Sequence, residues 1–521
     1  MNRRRFLGIG AATGLTGLGL GSCGARPPPL TGGLLGPDIG LGHQLRAGAF
    51  PPPAARRSAT VVIAGGGVSG LSAAWWLKRN GCDDFILLEL ESEVGGNSRF
   101  GESAVTRYPW GAHYLALPSS EAQELILLLE DMGIVTGKSA GGDPLYDERY
   151  LLFPPRERLF VEGRWRPGLK EFDDAGASFG RFSALLREHF DARGDDGCRA
   201  FASPAALSSH DARWRQLDGI SMAAWLKGRG LDDPRLNWYV DYACRDDFGC
   251  TARDTSAWAG VHYFVARAPA GRYADDTVLT APEGNGFLTA AMARPLADRI
   301  VRGELVYRVA QDRRTVTLLT WNGAQATEWR ARQAILALPQ FVLPHIIAGR
   351  PVAGFEYAPW VVANLHVREL PRGGGVTTAW DNVLYDSPAL GYVVATHQLL
   401  RQHVGASVLT WYMPVTQRPA VAARAEVLRK SWREWVDIIL ADLRRAHPDI
   451  DDLVTHVDVW RWGHGMIKPL PGTLTGAELA RARVSVGNIH FAHTDLSGMS
   501  LFEEAHYWGV RAAEAVLARM K

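Results

Sequence analysis

Residues 59–89 constrain the fold more than any other part of the 521-residue chain. An apolar, β-branched run at residues 59–64 (ATVVIA) ends in a glycine-rich turn at residues 65–70 (GGGVSG). The next residues, 71–79 (LSAAWWLKR), favour a helix, and a second apolar run at residues 85–88 leads to Glu89. A buried strand, a glycine turn, a helix and a strand ending in an acid are the order of a dinucleotide-binding βαβ unit.

Each glycine of this turn has its own physical role. Gly65 permits the tight turn, Gly67 lets the backbone approach a pyrophosphate, and Gly70 brings the helix close to the sheet. The helix N-terminus, which includes Ser69, then faces the phosphates. Glu89 follows Gly65 by 24 residues, a spacing that suits an acid bonded to the ribose hydroxyls. The sequence therefore predicts that these five residues bind a dinucleotide.

A second glycine pair at residues 95–99 (GGNSR) indicates FAD rather than a nicotinamide. Here the chain resembles the flavin-containing amine oxidase superfamily, in which such a pair contacts FAD and usually precedes an arginine. Asn97 stands in place of that arginine, as it does in some more distant flavoprotein relatives. The resemblance implies that FAD contacts involve Gly95, Gly96, Asn97 and Arg99.

Later segments resemble the same family in the same order, over residues 59 to about 517. Residues 110–114 (WGAHY) resemble a segment beside the flavin, and residues 282–288 (PEGNGFL) resemble the entry into an FAD-domain helix. The last helix should begin near Phe502 and direct its dipole at the flavin. The FAD contacts that the resemblance adds are Gly111, Ala112, His113, Val306, Asp495 and Phe502.

The resemblance implies an α/β fold with a Rossmann-type FAD-binding domain interleaved with an α+β substrate domain. Apolar runs at residues 360–367 and 390–396 are typical of sheet strands in the second domain. The FAD-binding domain is expected to comprise residues 58–130, 281–345 and 466–521, and the substrate domain residues 131–280 and 346–465.

The candidate catalytic residues are few, because a flavin reaction needs little beyond a positioned substrate and a dry site. By resemblance, residues 460–468 (WRWGHGMIK) bring Trp462 to the flavin. His464, between two glycines, is expected to face a cavity and to exchange a proton near neutrality. A purely structural role for His464, and a solvated position for Lys468, are the alternatives.

Two departures from the family bear on the reaction. Asn364 stands where amine oxidases often have a lysine near flavin N5, and Leu501 stands where they often have a tyrosine. These departures favour a dehydrogenase that oxidises an amine or a related small molecule and passes electrons to an unknown acceptor. The alternatives are a desaturase or carbon–carbon oxidase acting on an apolar substrate, and a flavin-bound assembly protein without turnover.

The N-terminal region predicts export. Arg3, Arg4 and Arg5 precede an apolar, glycine-rich stretch, which is typical of an export signal and resembles the twin-arginine type. Residues 1–23 are therefore expected to direct the protein to the periplasm. Residues 20–23 (LGSC) resemble a lipobox, in which Cys23 would carry a lipid anchor; a chance cysteine is the alternative. Residues 24–57, rich in proline and glycine, are expected to form a tether outside the fold.

Charge and cysteine content limit the partners, disulfides and metal sites that can be expected. A formal net charge of +2, with no long run of one sign, gives no reason to expect a nucleic-acid partner. Cys244 and Cys250 can pair in an oxidising compartment or remain separate thiols. No metal site is expected, because no cysteine or histidine cluster has metal-binding spacing.

Overall fold

A computed structural model of the chain describes residues 29–170, 172, 175–267, 273–274, 277–400, 405–416 and 419–520. Its strands are β1 (Thr31–Leu35), β2 (Ala55–Ala64), β3 (Phe85–Leu88), β4 (Phe100–Glu102), β5 (Arg107–Pro109), β6 (Leu115–Ala116), β7 (Val135–Lys138), β8 (Pro144–Tyr146), β9 (Glu157–Val161), β10 (Arg164–Pro167), β11 (Val278–Leu279), β12 (Ile300–Val301), β13 (Leu305–Gln311), β14 (Val316–Trp321), β15 (Ala326–Leu336), β16 (Tyr357–Val367), β17 (Asp381–Leu384), β18 (Tyr392–Val394), β19 (Ser407–Pro414), β20 (Val454–Ile467) and β21 (Ile489–Phe491).

The α-helices flank these strands. They are α1 (Ile39–Gly42), α2 (Gln44–Ala47), α3 (Val68–Arg79), α4 (Gln123–Asp131), α5 (Gly176–Phe190), α6 (Ala212–Arg215), α7 (Met222–Lys227), α8 (Pro234–Phe248), α9 (Ala257–Val265), α10 (Gly286–Ala293), α11 (Leu343–Ile346), α12 (Ala420–Arg429), α13 (Trp432–Leu443), α14 (Ile450–Leu453), α15 (Ala477–Ala482) and α16 (Phe502–Met520). None of the helices in these ranges is long and apolar enough to cross a membrane.

A seven-stranded sheet carries the glycine turn. Its order is β12-β3-β2-β15-β14-β13, with β21 beside β15, and β2 pairs in parallel with both β3 and β15. Both faces are covered: Val61 and Ile63 pack into one apolar cluster, and Val62 and Ala64 pack into another. This two-sided burial explains the continuous apolar run. The expected α/β fold with a Rossmann-type FAD domain is confirmed.

The second large sheet has eight strands in the order β1-β20-β16-β19-β18-β17-β9-β10. Strand β16 lies near its centre and pairs in antiparallel fashion with β19 and β20. Along β16, Val361 and Ala363 belong to an apolar cluster shared with α13, whereas Trp360 and Val362 belong to a cluster shared with α7–α9. Period-two alternation thus directs one row of side chains towards the helices that enclose the site.

Residues 31–57 do not form the expected tether. Strand β1 pairs in parallel with β20, and Phe50 stacks on Tyr307 with ring centroids 4.0 Å apart. The reason is visible at Gly32, which has φ +138° and where a Cβ would lie 1.9 Å from the Val457 carbonyl oxygen. The glycine allows close strand approach rather than flexibility. The predicted export signal, including Cys23, lies outside the described residues.

The four described cysteines, Cys82, Cys198, Cys244 and Cys250, are free thiols. Cys244 and Cys250 therefore follow the unpaired alternative. Burial raises the pKa of both thiols, to about 12 for Cys250, which keeps them protonated and unreactive at neutral pH.

Candidate active site

The glycine turn after β2 is too tight for side chains. Gly65 has φ +101°, and a Cβ on it would lie 2.3 Å from the Ala337 carbonyl oxygen. A Cβ on Gly70 would lie 1.8 Å from the Gly65 carbonyl oxygen. Gly67 is the N-cap of α3 in extended conformation, and Ser69 lies buried in the first helical turn. The unpaired amides of that turn are therefore held at the sheet edge, where a helix N-terminus attracts phosphate.

Glu89 closes the opposite side of this turn. Its Oε2 accepts a hydrogen bond from the Gly66 amide at 2.6 Å, and its Oε1 accepts one from the Glu91 amide at 2.9 Å. Burial raises the pKa of Glu89, although both amide hydrogen bonds favour the anion. The Glu89 carbonyl accepts from the Glu304 amide at 2.8 Å, which brings Val306, two residues later, to the same region of the sheet.

The second glycine pair lies directly against the first turn. Gly95 and Gly96 have φ values of +118° and +56°, and the Gly95 amide donates to the Gly66 carbonyl at 2.8 Å. Arg99, which follows, is buried, forms an ion pair with Glu91 at 3.2 Å and lies over the Trp460 ring at 4.8 Å. Two motifs predicted separately thus form one continuous backbone cradle.

Asn97 joins the cradle to a cavity between the two sheets. Its side-chain amide donates to the Gly465 carbonyl at 2.6 Å, and its own carbonyl accepts from the Ala112 amide at 3.0 Å. A Cβ on Gly111 would lie 2.4 Å from the Asn97 carbonyl oxygen. The asparagine that replaces the family arginine therefore binds neighbouring backbone and lines the cavity.

The cavity, together with its opening to solvent, has a volume of about 860 Å³ and has aromatic, aliphatic and charged walls. Three buried atoms of lining residues, Asn285 Oδ1, Trp360 Nε1 and Asp247 Oδ2, have no hydrogen-bond partner in the described part of the protein. A ligand in the cavity would offer such atoms a partner. The side chains that define the chemistry of the walls are Tyr114, Trp360, Tyr412, Trp462, Phe502, Leu115, Val362, Met466, Leu501, His113, Asp246, Asp247, Arg267 and Glu503.

An acidic cluster lines one part of the cavity and was not predicted. Asp246 and Asp247 lie in the last turn of α8, and Glu503 lies in the first turn of α16. Arg267 pairs with Asp247, and the Tyr114 hydroxyl donates to Asp246 at 3.3 Å. Burial, reinforced by Asp247, raises the pKa of Asp246 to about 7. Burial also raises the pKa of Asp247 and of Glu503. The sequence signal was an acid pair in the last turn of α8, directly after Arg245.

The C-terminal segment supplies the remaining predicted FAD contacts. Asp495 is fully buried and accepts hydrogen bonds from the Gln340 amide at 2.7 Å and the Tyr357 hydroxyl at 2.6 Å. Burial disfavours its anion, but His493 and these hydrogen bonds outweigh that effect and lower its pKa. Phe502 begins α16 and lines the cavity, so the positive end of the helix dipole points there.

Of the aromatic segment in β20, Trp462 lines the cavity and His464 does not. Trp462 Nε1 donates to the Trp110 carbonyl at 2.7 Å. His464 instead stacks on Phe341 with ring centroids 4.1 Å apart. Burial, with the positive charge of Arg424, lowers the pKa of His464 to about 4. The expectation that His464 exchanges a proton near neutrality is therefore wrong.

Asn364 and Lys468 also lie away from the cavity lining. Asn364 is fully buried, donates to the Pro109 carbonyl at 3.0 Å and accepts from the Thr410 hydroxyl at 2.6 Å. Lys468 Nζ lies 3.5 Å from Glu356. On β16 the cavity positions belong to Trp360 and Val362, and the described lining contains no lysine.

Another predicted FAD contact, His113, lines the cavity as a neutral imidazole. Burial lowers its pKa to about 4, and its Nδ1 lies 3.2 Å from the Gly111 carbonyl oxygen. Its ring packs against Tyr412 with centroids 4.9 Å apart. At neutral pH, therefore, His113 adds no positive charge to the acidic cluster.

Comparisons with known proteins identify the family of this chain. The family model for flavin-containing amine oxidoreductases matches residues 68–517, and the chain belongs to that family. The chain is similar to wild-type putrescine oxidase bound to putrescine, with 17% identity and a TM-score of 0.60 over 89% of this chain and 100% of that one. It is also similar to cyclohexylamine oxidase from Brevibacterium oxydans, with 16% identity and a TM-score of 0.63 over 90% and 100% of the two chains.

Two further similar proteins have names that do not refer to amine oxidation. A fatty acid isomerase from P. acnes is 15% identical, with a TM-score of 0.59 over 88% of this chain and 98% of that one. The oxidoreductase PigB of Serratia sp. is 25% identical over 284 residues, which are 51% of this chain. The match spans only 41% of the length of this curated relative.

The protein is an FAD-dependent oxidoreductase, and its residues fit the cofactor. The two glycine turns form a cradle that any Cβ at Gly65 or Gly70 would obstruct, and Glu89 presents a buried carboxylate beside it. The residues that would hold FAD are those of the two turns, Glu89, Asn97, residues 111–113, Val306, Asp495 and the N-terminus of α16.

Proposed function

We propose that the protein oxidises a small organic amine by hydride transfer to FAD. The observation that carries this proposal is the acidic cluster in the cavity, where Asp246, Asp247 and Glu503 face one guanidinium, that of Arg267. Buried carboxylates without matching cations are costly, so a cationic ligand is favoured there. The aromatic walls add cation–π attraction for an ammonium group.

When bound, FAD would supply the acceptor for one hydride, which carries both electrons of the oxidation. The chain supplies positioning, a dry cavity and proton handling. Asp246, with a pKa of about 7, is partly ionised at neutral pH and can accept the ammonium proton, which leaves the neutral amine that hydride transfer requires. Trp462 and Leu501, which also line the cavity, would confine the substrate. The absence of lysine from the described lining supports an electron acceptor other than oxygen.

A carbon–carbon oxidation of an apolar substrate is the second candidate. The observation in its favour is the aliphatic part of the lining, formed by Leu115, Val362, Met466 and Leu501. These side chains bind a hydrocarbon segment without the need for a cation.

The test is anaerobic mixing of the purified yellow protein with amines and with apolar donors, followed by flavin absorbance. Amines should bleach the flavin, and Asp246→Asn should slow this bleaching at least about tenfold. Asp232→Asn, at an exposed position before α8, is the matched control and should behave as the wild type. Bleaching by apolar donors alone would overturn the amine proposal and favour the second candidate.

We further propose export through a twin-arginine signal, supported by Arg3 and Arg4 before the apolar stretch, with Cys23 as the anchored N-terminus. Because β1 begins at Thr31, eight residues after Cys23, a lipid there would hold the sheet within about 28 Å of a membrane. Replacing both arginines by lysine should leave precursor in the cytoplasm, whereas Cys23→Ser should release periplasmic protein from membranes. Efficient export of the lysine variant would refute the twin-arginine signal. Unchanged membrane association of the serine variant would refute the lipid anchor at Cys23.

A further inference from the structure

We propose that His366, His456 and Asp458 form a binding site for a divalent transition-metal ion, best suited to Zn²⁺, outside the active site. His366 of β16 and His456 of β20 are directly paired across the two strands, and Asp458 lies two residues along β20 on the same face. One ligand atom from each side chain lies within 4.8 Å of the other two. Alternation and register thus bring together three ligands that are far apart in the sequence.

The hydrogen-bonding state of His366 supports this assignment. Its Nε2 is buried and has no hydrogen-bond partner in the described part of the protein. The imidazole ring lies edge-to-face against His456, with ring centroids 5.0 Å apart, and against Tyr108 at 5.4 Å. A buried imidazole nitrogen without a partner is costly, and coordination of a metal ion would satisfy it.

The contacts of His456 orient its other nitrogen towards the same point. The Thr31 hydroxyl donates to the Thr455 carbonyl at 3.3 Å, so its oxygen accepts from His456 Nδ1–H at 2.9 Å. This arrangement leaves the lone pair of Nε2 facing Asp458 Oδ1 at 3.0 Å. A lone pair and a carboxylate repel each other unless a proton or a cation lies between them. The Thr31 contact is the kind of second hydrogen bond that fixes metal-binding histidines.

Two imidazole nitrogens and one carboxylate oxygen suit Zn²⁺ and leave a fourth position for water. The site is open to solvent, since the His456 side chain is 36% exposed and that of Asp458 is 18% exposed. Asp458 lies four residues along β20 from Trp462, about 13 Å from the cavity wall. A metal here would tie β1, through Thr31, to the centre of the sheet without contacting the substrate.

The experiment titrates Zn²⁺ into the chelator-treated, FAD-loaded full chain by calorimetry and by competition with a chromogenic chelator. One equivalent should bind, and His366→Asn and Asp458→Asn should each weaken binding at least about a hundredfold. Thr31→Val, which removes no ligand but both hydrogen bonds of the Thr31 hydroxyl, should weaken it by about tenfold. His345→Asn, at an exposed histidine on α11, is the control and should bind as the wild type.

Folding of every variant is checked by its flavin absorbance and melting temperature. Asp458 is partly exposed, so its asparagine variant keeps the test valid even if the buried His366 variant does not fold. No stoichiometric binding to the wild type, or equal binding to Asp458→Asn and the wild type, would overturn the proposal.

Discussion

Gly70→Ala should damage FAD binding more than any surface change of equal size. The new Cβ would lie 1.8 Å from the Gly65 carbonyl oxygen, so α3 and the turn would have to separate by more than about 1 Å. Such overpacking typically costs about 1–3 kcal/mol, which exceeds the gain of up to about 1 kcal/mol from helix propensity. The separation also moves the amides of the first turn away from the phosphates. We expect FAD affinity to fall at least about tenfold.

Gly180→Ala supplies the matched control. Gly180 also lies within a helix, α5, but a Cβ there would meet no atom within 4 Å. This variant should gain up to about 1 kcal/mol of unfolding free energy and bind FAD normally. Flavin fluorescence during titration of the apoprotein measures affinity, and denaturant unfolding measures stability. Wild-type affinity and stability in Gly70→Ala would refute the steric reasoning.

Four further predictions concern ionisation and thiols. Amine-driven flavin reduction should accelerate as pH rises through 7, and Asp246→Asn should flatten this profile. The folded-state pKa of Asp246 exceeds its ordinary value of 3.8, so the free energy of unfolding should fall as pH rises from about 4 to 7. The fall should be smaller in Asp246→Asn. If denaturant titrations gave the wild type and this variant the same dependence of unfolding free energy on pH, the prediction would be contradicted. His464→Gln should leave the pH profile near neutrality unchanged, since the pKa of His464 is about 4. A reductant should not change the melting temperature, because Cys244 and Cys250 are thiols; a drop would indicate a disulfide.

The cofactor cradle could be predicted because its determinants are local. Gly65, Gly70 and Glu89 lie within one βαβ unit, where spacing along the chain fixes spacing in space. The same locality explains the second glycine pair, which follows β3 after a short loop and meets the first turn through the Gly95 amide. Where the backbone must turn tightly or approach another segment closely, the need for glycine can be read directly from the sequence.

The acidic cluster and the histidine pair could not be predicted in this way. Asp246 and Arg267 come from different segments and meet Glu503 only because α16 packs beside them. His366 and His456 are 90 residues apart, and only the register of β16 on β20 makes them neighbours. Metal-binding spacing rules consider ligands close in sequence, so they overlook a cross-strand pair.

The position of β1 shows a different limit. The proline and glycine of residues 24–57 predicted an extended tether outside the fold, yet Gly32 is the residue that lets β1 approach Val457. A high glycine content shows that a segment can adopt unusual backbone angles. It does not show whether a neighbouring strand requires those angles.

Among the three acids of the cluster, Asp246 is the one whose charge the protein compensates least. Asp247 pairs with Arg267, and Glu503 accepts from the Ser203 hydroxyl at 3.3 Å in the first turn of α16, where the helix dipole favours an anion. Asp246 receives one hydroxyl, from Tyr114 at 3.3 Å, and lies beside the charge of Asp247. A cation entering the cavity would therefore lower the pKa of Asp246 most, so that the protonated fraction of Asp246 loses its proton on binding. Substrate binding should then release less than one proton to the buffer at pH 7, which calorimetry in buffers of different ionisation enthalpy measures.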